Sequence, residues 1–268
     1  MSADNPWLGR RVLNYAHRGG AKEAPENTLA AFEHSVRVGA HGLELEVRAS
    51  ADRELVVFHD DRVDRVTAAT GRVDRLTADE LCRLAVLGPA VGVGGSVAVP
   101  TLRAVLERFP ATFVNIDIKA TVPRTAPYER LLAEILRAFG RTDDVIVASF
   151  HQAALDAFRS VAPHVTTSAS PQEVAALWSD AWGPPATGRV VAVQVPTTFQ
   201  DLEVVTGPFV ERAHRHGLAV HVWTIDDEAE MGRLLDLGVD GIVTDRPTLL
   251  ARVLRERGIG YSASGPSA

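Results

Sequence analysis

The sequence lacks several features that would assign it to a class of protein at once. Only one of its 268 residues, Cys82, is a cysteine, which excludes a disulfide within the chain and fits a reducing compartment. No uninterrupted apolar run approaches the about 18 residues of a membrane span. Residues 1–11 carry no apolar segment typical of a signal peptide. These absences predict a cytoplasmic protein with no integral membrane segment.

Positive charge is also scarce. The chain has 28 Lys and Arg against 34 Asp and Glu, giving a formal net charge of −6. Because nucleic acids are held by basic surfaces and no cluster of Lys and Arg is found, no nucleic-acid partner is expected. P-loop, G-x-G-x-x-G, G-x-S-x-G and zinc-finger spacings are missing too, so the reactions that depend on them have no support. Nothing in the composition indicates an oligomeric state.

What the sequence does contain is an alternation of short β-branched runs with amphipathic helical patterns. This alternation is typical of a parallel sheet with crossover helices, and the chain length suits one TIM-type (β/α)8 barrel. We predict an N-terminal extension at 1–11, a barrel over 12–257 and a flexible Gly/Ser-rich tail at 258–268. The predicted strands are Val12–Ala16, Gly42–Val47, Leu55–Phe58, Phe113–Ile118, Val145–Ser149, Val165–Ser168, Val190–Val195, Ala219–Thr224 and Gly241–Thr244.

These strands outnumber the eight of a closed barrel by one. Either Leu55–Phe58 or the weak run Val165–Ser168 should therefore lie off the barrel. Leu87–Val99 and Gly183–Gly188 are predicted loops, because glycine and proline interrupt both. The predicted helices are Thr28–Val38, Leu76–Leu84, Leu102–Phe109, Tyr128–Phe139, Ala153–Val161, Glu173–Trp178, Pro208–His216 and Glu228–Leu237.

Carboxylates interrupt one of the most apolar of these strands. In Gly42–Val47, side chains alternate between the two faces, so Glu44 and Glu46 share the face opposite Leu43, Leu45 and Val47. We place the leucines against the helices and the two glutamates inside the barrel. Two buried carboxylates on one face repel each other and lose hydration unless a cation lies between them.

A second strand repeats this pattern. In Phe113–Ile118, Asn115 and Asp117 face inward, and Lys119 follows on the same side. Glu44, Glu46 and Asp117 thus form an oxygen site suited to Ca²⁺ or Mg²⁺, whereas zinc would call for Cys or His ligands. The alternative is a polar plug in which Lys119 and arginines neutralise the carboxylates without a metal.

Two histidines follow strands directly. His17 comes after Tyr15-Ala16, and His59 comes after Leu55–Phe58. In barrels of this type, catalytic groups lie at the carboxyl ends of the strands. Beside a metal site, the pair is predicted to act as general acid and base in a displacement at phosphorus. Arg18 offers a planar fork for phosphate oxygens and Lys119 a point charge.

Other candidates carry weaker signals. Trp223, near the end of Ala219–Thr224, could stack on a substrate or belong to the core, and His221 shares its inward face. His151 could reach the rim after Val145–Ser149. Cys82 is expected to be a packed residue and not a nucleophile. Asp245-Arg246-Pro247 is predicted to be a strand-to-helix cap. We predict surface positions for His34, His41, His164, His214 and His216.

Nine motifs in order, spread over nearly the full chain, resemble glycerophosphodiester phosphodiesterases, members of the phosphatidylinositol phospholipase C-like barrels. They are His17-Arg18-Gly19, Pro25-Glu26-Asn27-Thr28, Glu44/Glu46, His59-Asp60, Pro100-Thr101-Leu102, Asn115–Lys119, Ser149-Phe150, Trp223–Asp226 and Gly238–Pro247.

The resemblance implies a TIM-type barrel with bound Ca²⁺ or Mg²⁺ that hydrolyses small glycerophosphodiesters to sn-glycerol 3-phosphate and an alcohol. By that analogy Glu44, Glu46 and Asp117 bind the metal, and His17 and His59 exchange protons. The family patterns Glu-x-Asp and Glu-x-Lys are altered here, because Glu46 replaces an Asp and Asp117 a Glu. Both changes keep the charge. Asp226 stands where the family commonly has Asn.

Two other functions remain open at this point. The first is a lysophospholipase D or phosphatidylinositol phospholipase C-like activity, which would need an apolar approach to the rim that the short loops provide poorly. The second is a barrel that binds phosphodiesters without turning them over, against which the presence of both His17 and His59 argues.

Overall fold

The computed structural model describes residues 5, 7–8, 12–89, 96–119 and 127–259. In these ranges the chain forms a closed parallel barrel surrounded by helices. The strands, in chain order, are β1 (Leu13–His17), β2 (Gly42–Ala49), β3 (Leu55–Val57), β4 (Phe113–Ile118), β5 (Val145–Ala148), β6 (Thr166–Ser168), β7 (Arg189–Val195), β8 (Thr198–Phe199), β9 (Leu202–Glu203), β10 (Ala219–Val222) and β11 (Gly241–Thr244).

The barrel closes through parallel pairing of β1 with β2 and with β11. Around it the order is β1, β2, β4, β5, β6, β7, β10 and β11. The strand that lies off the barrel is β3, which pairs antiparallel with the last three residues of β2. The weaker run, Thr166–Ser168, joins the barrel between β5 and β7. The small antiparallel hairpin of β8 and β9 was not predicted.

Helices cover the outside of the barrel, and most begin at a side-chain cap. Thr28 and Ser170 accept hydrogen bonds from the first turns of the helices that follow them. The segment predicted as helical at 76–84 is reduced to one short turn that ends at Cys82, which is partly buried. The helices are α1 (Leu29–Val38), α2 (Ala78–Leu81), α3 (Leu102–Arg108), α4 (Glu129–Ala138), α5 (Gln152–Val161), α6 (Pro171–Trp178), α7 (Gly207–Arg215), α8 (Glu228–Asp236) and α9 (Pro247–Glu256).

The core lies between the barrel and its helices, as period-two alternation predicts. Leu43, Leu45 and Val47 are fully buried against the helical layer. Of the described residues, no helix is both long and apolar enough to cross a membrane. The middle of the loop at 87–99 and the tail from residue 260 lie outside the described ranges.

The amino end of the barrel is closed by Trp7, which comes from the predicted N-terminal extension. Its ring is fully buried and lies 5.1 Å from that of Phe113 between centroids. Asn5 fixes this segment by donating hydrogen bonds of 2.7 Å to the carbonyls of Val191 and Gly217. Apart from Leu8, the remaining residues of the extension lie outside the described ranges.

A histidine is buried inside the barrel above Trp7. His221 is 0% exposed, and its ring lies 5.1 Å from that of Tyr15. Its Nδ1 is 3.4 Å from the amide of Gln194, while Nε2 has no hydrogen-bond partner among the described residues. Burial lowers the pKa of His221 to about 3, since an imidazolium would lose its hydration there.

This burial predicts acid-dependent stability. In the unfolded chain His221 takes up a proton below its ordinary pKa of about 6.5, whereas the folded protein does not until about pH 3. The free energy of unfolding should therefore fall as the pH drops from about 6.5, by on the order of 1 kcal/mol per pH unit from this group. Denaturant titrations at several pH values should show that His221→Asn loses this pH dependence of the free energy of unfolding, while the parent and the exposed-site variant His164→Asn keep it. If the free energy of unfolding fell equally with pH in the parent and both variants, the prediction would be contradicted.

Candidate active site

Polar residues from three neighbouring strands meet at the carboxyl end of the barrel. His17 closes β1 and pairs in register with Glu44 on β2. Glu46, two residues further along β2, pairs in register with Asp117 on β4. The pairing of β1, β2 and β4 therefore brings together four residues that the sequence predicted to act jointly. All three carboxylates are buried, with 1–7% of each residue exposed.

The turn after β1 aims Arg18 into this cluster. Arg18 and Gly19 both have positive φ, at 51° and 79°. A side chain at Gly19 would bring its Cβ within 2.8 Å of the Ala31 Cβ, so this position requires glycine. The turn directs the Arg18 amide to donate a 3.2 Å hydrogen bond to Glu44 Oε2. The Arg18 Nε lies 3.0 Å from Glu46 Oε1.

Two permanent cations, Arg18 and Lys119, face the three carboxylates. Lys119 Nζ donates a 2.7 Å hydrogen bond to Asp117 Oδ2 and lies 3.5 Å from Glu46 Oε1. These contacts are the ones expected of a polar plug, but they do not satisfy every carboxylate oxygen. Asp117 Oδ1 is buried and has no hydrogen-bond partner among the described residues.

The pKa values show which of the three carboxylates lack sufficient positive charge nearby. Burial and the charge of Glu46 raise the pKa of Glu44. Burial raises the pKa of Asp117 to about 6, against the opposing effect of Lys119. For Glu46, burial is outweighed by Arg18 and Lys119, and the pKa falls. Glu44 and Asp117 are thus the carboxylates that an additional cation would keep ionised.

The donor set fits a hard divalent cation. A ring nitrogen of His17 and carboxylate oxygens of Glu44 and Glu46 lie within 4.8 Å of one another, the one such group found among the described residues. Asp117 is not part of this group, although its partnerless oxygen belongs to the residue that faces Glu46 across the strands. Two carboxylate oxygens with one imidazole nitrogen can hold a divalent cation.

Each histidine is oriented by its own aspartate. His17 Nδ1 lies 2.6 Å from Asp245 Oδ1, and His59 Nδ1 lies 2.6 Å from Asp60 Oδ1. Because a carboxylate only accepts, each Nδ1 carries the proton and each Nε2 is left free. Glu44 Oε2 is 3.9 Å from the Nε2 of His17, and Glu46 Oε1 is 3.9 Å from that of His59. Each free nitrogen therefore lies close to a different carboxylate of the cluster.

The role of Asp245 was missed in the sequence, where its motif was assigned only to a helix cap. Asp226 holds this aspartate in place by accepting hydrogen bonds from the Asp245 amide at 2.8 Å and from the Thr244 hydroxyl at 2.9 Å. Lys22 lies 2.6 Å from the other oxygen of Asp226. This ion pair compensates the charge that Asp226 adds where the family commonly has Asn.

Another part of the barrel mouth exposes several apolar side chains. Phe150 follows β5 and is 58% exposed, and its ring packs edge-on against Trp223, which follows β10, at 5.6 Å. The hairpin after β7 exposes Phe199 and Leu202, at 62% and 42%. These residues come from strands other than those that carry the charged cluster. Trp223 thus belongs to the rim, where it could contact a substrate.

Two of the five histidines that were predicted to lie at the surface do not lie there. His34 and His41 were predicted at the surface, which is wrong. His34 is buried and bonded to Glu23 at 3.0 Å, while the partly buried His41 has a pKa lowered to about 4 by burial. His214 is half-buried and bonded to Asp240 at 2.8 Å. The exposed ones are His151, His164 and His216.

Comparisons with known proteins identify the family of this chain. The profile of the Glycerophosphoryl diester phosphodiesterase family matches residues 17–249. A glycerophosphodiester phosphodiesterase of Caldanaerobacter subterraneus is 32% identical, covering 92% of this chain and all of its own. The crystal structure of another, from Agrobacterium tumefaciens, has a TM-score of 0.74 at 28% identity, covering 90% of this chain and 99% of its own.

The chain belongs to the glycerophosphoryl diester phosphodiesterase family. It is therefore an enzyme, a phosphoric diester hydrolase, and the TIM-type barrel predicted from the sequence is confirmed. The alternative of a barrel that binds phosphodiesters without turnover finds no support. A human relative named lysophospholipase D is 27% identical over 88% of this chain and 83% of its own length.

Proposed function

We propose that this phosphodiesterase hydrolyses small glycerophosphodiesters to sn-glycerol 3-phosphate and an alcohol, with a divalent cation and two proton-transferring histidines. The observation that carries the proposal is the pair of free Nε2 atoms of His17 and His59, which lie 3.9 Å from the buried carboxylates of Glu44 and Glu46 respectively. Proton transfer on both sides of a phosphorus centre needs such a pair.

Glu44, Glu46 and Asp117 would hold the cation, Ca²⁺ or Mg²⁺. When bound, the cation supplies Lewis-acid stabilisation of charge on the phosphate oxygens. The incomplete compensation of Glu44 and the partnerless Asp117 Oδ1 support this assignment. Arg18 and Lys119, which already line the carboxylates, provide donors for phosphate oxygens at the same place.

The histidines complete the reaction. One ring is neutral, and its Nε2 accepts a proton from the attacking hydroxyl; the other ring is an imidazolium, and its Nε2 delivers a proton to the oxygen of the leaving alcohol. Asp245 and Asp60 keep each Nδ1 protonated, so that Nε2 is the atom that exchanges protons with the substrate. The attacking hydroxyl is either the glycerol 2-hydroxyl of the substrate, which gives a cyclic phosphate that water then opens, or a water molecule.

Removal of the cation should abolish activity and lower the melting temperature. An ion that binds only the folded state stabilises it, by about 2.7 kcal/mol at a concentration 100 times its Kd. Activity on glycerophosphocholine and thermal melts should be measured after chelation and after return of Ca²⁺ or Mg²⁺. Glu44→Gln, which lacks one carboxylate, should respond weakly to either ion. Full activity after exhaustive chelation would exclude the metal assignment.

Loss of either histidine should reduce kcat at least ~100-fold, the usual effect of losing a positioned proton-transfer group. We expect this for His17→Ala and His59→Ala, while exposed His164→Ala stays near the parent rate. Titration of Ca²⁺ or Mg²⁺ binding separates two roles for His17, since a ligand loses ion affinity when replaced and a proton-transfer group does not. Near-normal turnover by His59→Ala would rule out the two-histidine mechanism.

The exposed apolar side of the mouth favours a second candidate function. The sequence predicted short loops with little surface for an acyl chain, but Phe150, Phe199 and Leu202 are all more than 40% exposed. A leaving alcohol that carries one acyl chain would cover this surface and gain the free energy of its burial, about 25 cal/mol per Å². The corresponding reaction is that of a lysophospholipase D, the activity for which the human relative is named.

A substrate comparison tests this candidate. The kcat/KM for lysophosphatidylcholine and for glycerophosphocholine should be measured on the parent and on Phe199→Ser/Leu202→Ser. We expect the double variant to lose activity selectively on the acylated substrate, through a higher KM, because only that substrate reaches the hairpin. Val36→Ser, another exposed apolar position, serves as the control. An equal effect on both substrates would contradict an acyl-binding role.

A further inference from the structure

Arg65 lies outside the barrel, in the segment between β3 and α3. This segment has a small core of its own, in which Val63 and Val66, on either side of Arg65, are buried. The guanidinium reaches back to the active-site rim and contacts two acids at once. Its Nε donates to Asp60 Oδ2 at 2.5 Å, and its two terminal nitrogens donate to the carboxylate of Glu26 at 2.6 and 2.9 Å.

These contacts complete a closed ring of acidic and basic side chains. Glu26 Oε1 also lies 3.3 Å from Arg18 Nη1, and Arg18 Nε lies 3.0 Å from Glu46 Oε1. Glu46 faces the Nε2 of His59, whose Nδ1 donates to Asp60. In order, the members are Glu46, Arg18, Glu26, Arg65, Asp60 and His59.

Within the ring, His59 depends on its polar contacts because packing restrains it little. The side chains of His59 and Asp60 are 32% and 24% exposed, against 19% and 17% for His17 and Asp245. The more exposed aspartate has one oxygen on His59 and the other on Arg65. Without the arginine, this carboxylate could rotate about its side-chain bonds and release the imidazole.

We infer that Arg65 is a positioning residue for His59, acting through Asp60, and that the segment between β3 and α3 contributes to catalysis by presenting it. The inference rests on the proposed role of His59 in proton transfer. A planar fork with donors on adjacent edges is what allows one side chain to hold two carboxylates in fixed directions. Lysine keeps the charge but lacks this geometry.

Arg62 offers a matched control. It belongs to the same segment, its side chain is 50% exposed against 47% for Arg65, and it pairs with Asp64 at 2.9 Å. Arg62→Ala therefore removes the same charge from the same segment without touching the ring. If Arg65 only stabilised this segment, replacing either arginine would have similar consequences.

The experiment compares Arg65→Ala, Arg65→Lys and Arg62→Ala in the full chain, with ¹⁵N NMR of the His59 ring, steady-state kinetics and thermal melts. We expect Arg65→Ala to lower kcat by about 10–100-fold, as loss of an outer-shell partner typically does, with KM changed less than about 3-fold. Its His59 should show a mixture of tautomers. The kcat of Arg65→Lys should lie between those of the parent and Arg65→Ala. Arg62→Ala should match the parent in kcat and in the His59 tautomer.

The outcomes separate the inference from the function on which it rests. An unaltered Nδ1–H tautomer of His59 in Arg65→Ala, or an equal loss of kcat in Arg62→Ala, would overturn the positioning role. A mixture of tautomers without loss of kcat would support the positioning of His59 by Arg65. It would refute the proposed part of His59 in proton transfer. A loss of kcat together with mixed tautomers supports both.

Discussion

Buried negative charge at the carboxyl end of the barrel is the constraint on which the rest of the site depends. Glu44, Glu46 and Asp117 are held by strands whose outward faces are committed to the core, so they cannot turn to solvent. Arg18 and Lys119 offset only part of their charge. Because unpaired buried carboxylates are costly, the arrangement persists only if it gains a compensating interaction with a ligand. The divalent cation that we propose would meet that requirement.

The two histidines of the site, His17 and His59, are not held in place by the strands alone. Both histidines sit where a strand gives way to a loop, and each depends on a carboxylate for its direction. The two solutions differ. The backbone amide of Asp245 donates a hydrogen bond to Asp226, whereas Asp60 accepts one from Arg65, which lies outside the barrel in the same segment as Asp60. The same chemical demand is thus met once from within the barrel and once from outside it.

Much of this was accessible from the sequence, for identifiable reasons. Period-two alternation placed Glu44 and Glu46 inside the barrel, since the faces of a strand follow from counting residues. The choice between β3 and β6 as the extra strand was not accessible, because both are short apolar runs and pairing depends on contacts distant in the chain. For the same reason the contact between Arg65 and Glu26, 39 residues apart, left no local signal. The burial of His34 and His41 depended on partners from other elements.

The division of the barrel mouth has a consequence for how such an enzyme diversifies. The charged cluster comes from β1, β2, β4 and the segment after β3, while the exposed apolar residues follow β5, β7 and β10. If the leaving alcohol contacts these apolar residues, as proposed, substitutions or insertions in the latter loops would alter its surroundings and leave the reacting groups untouched. A lineage can therefore explore new alcohols through mutations that are nearly neutral for the phosphate chemistry. The barrel separates the part of the protein under catalytic constraint from the part free to drift.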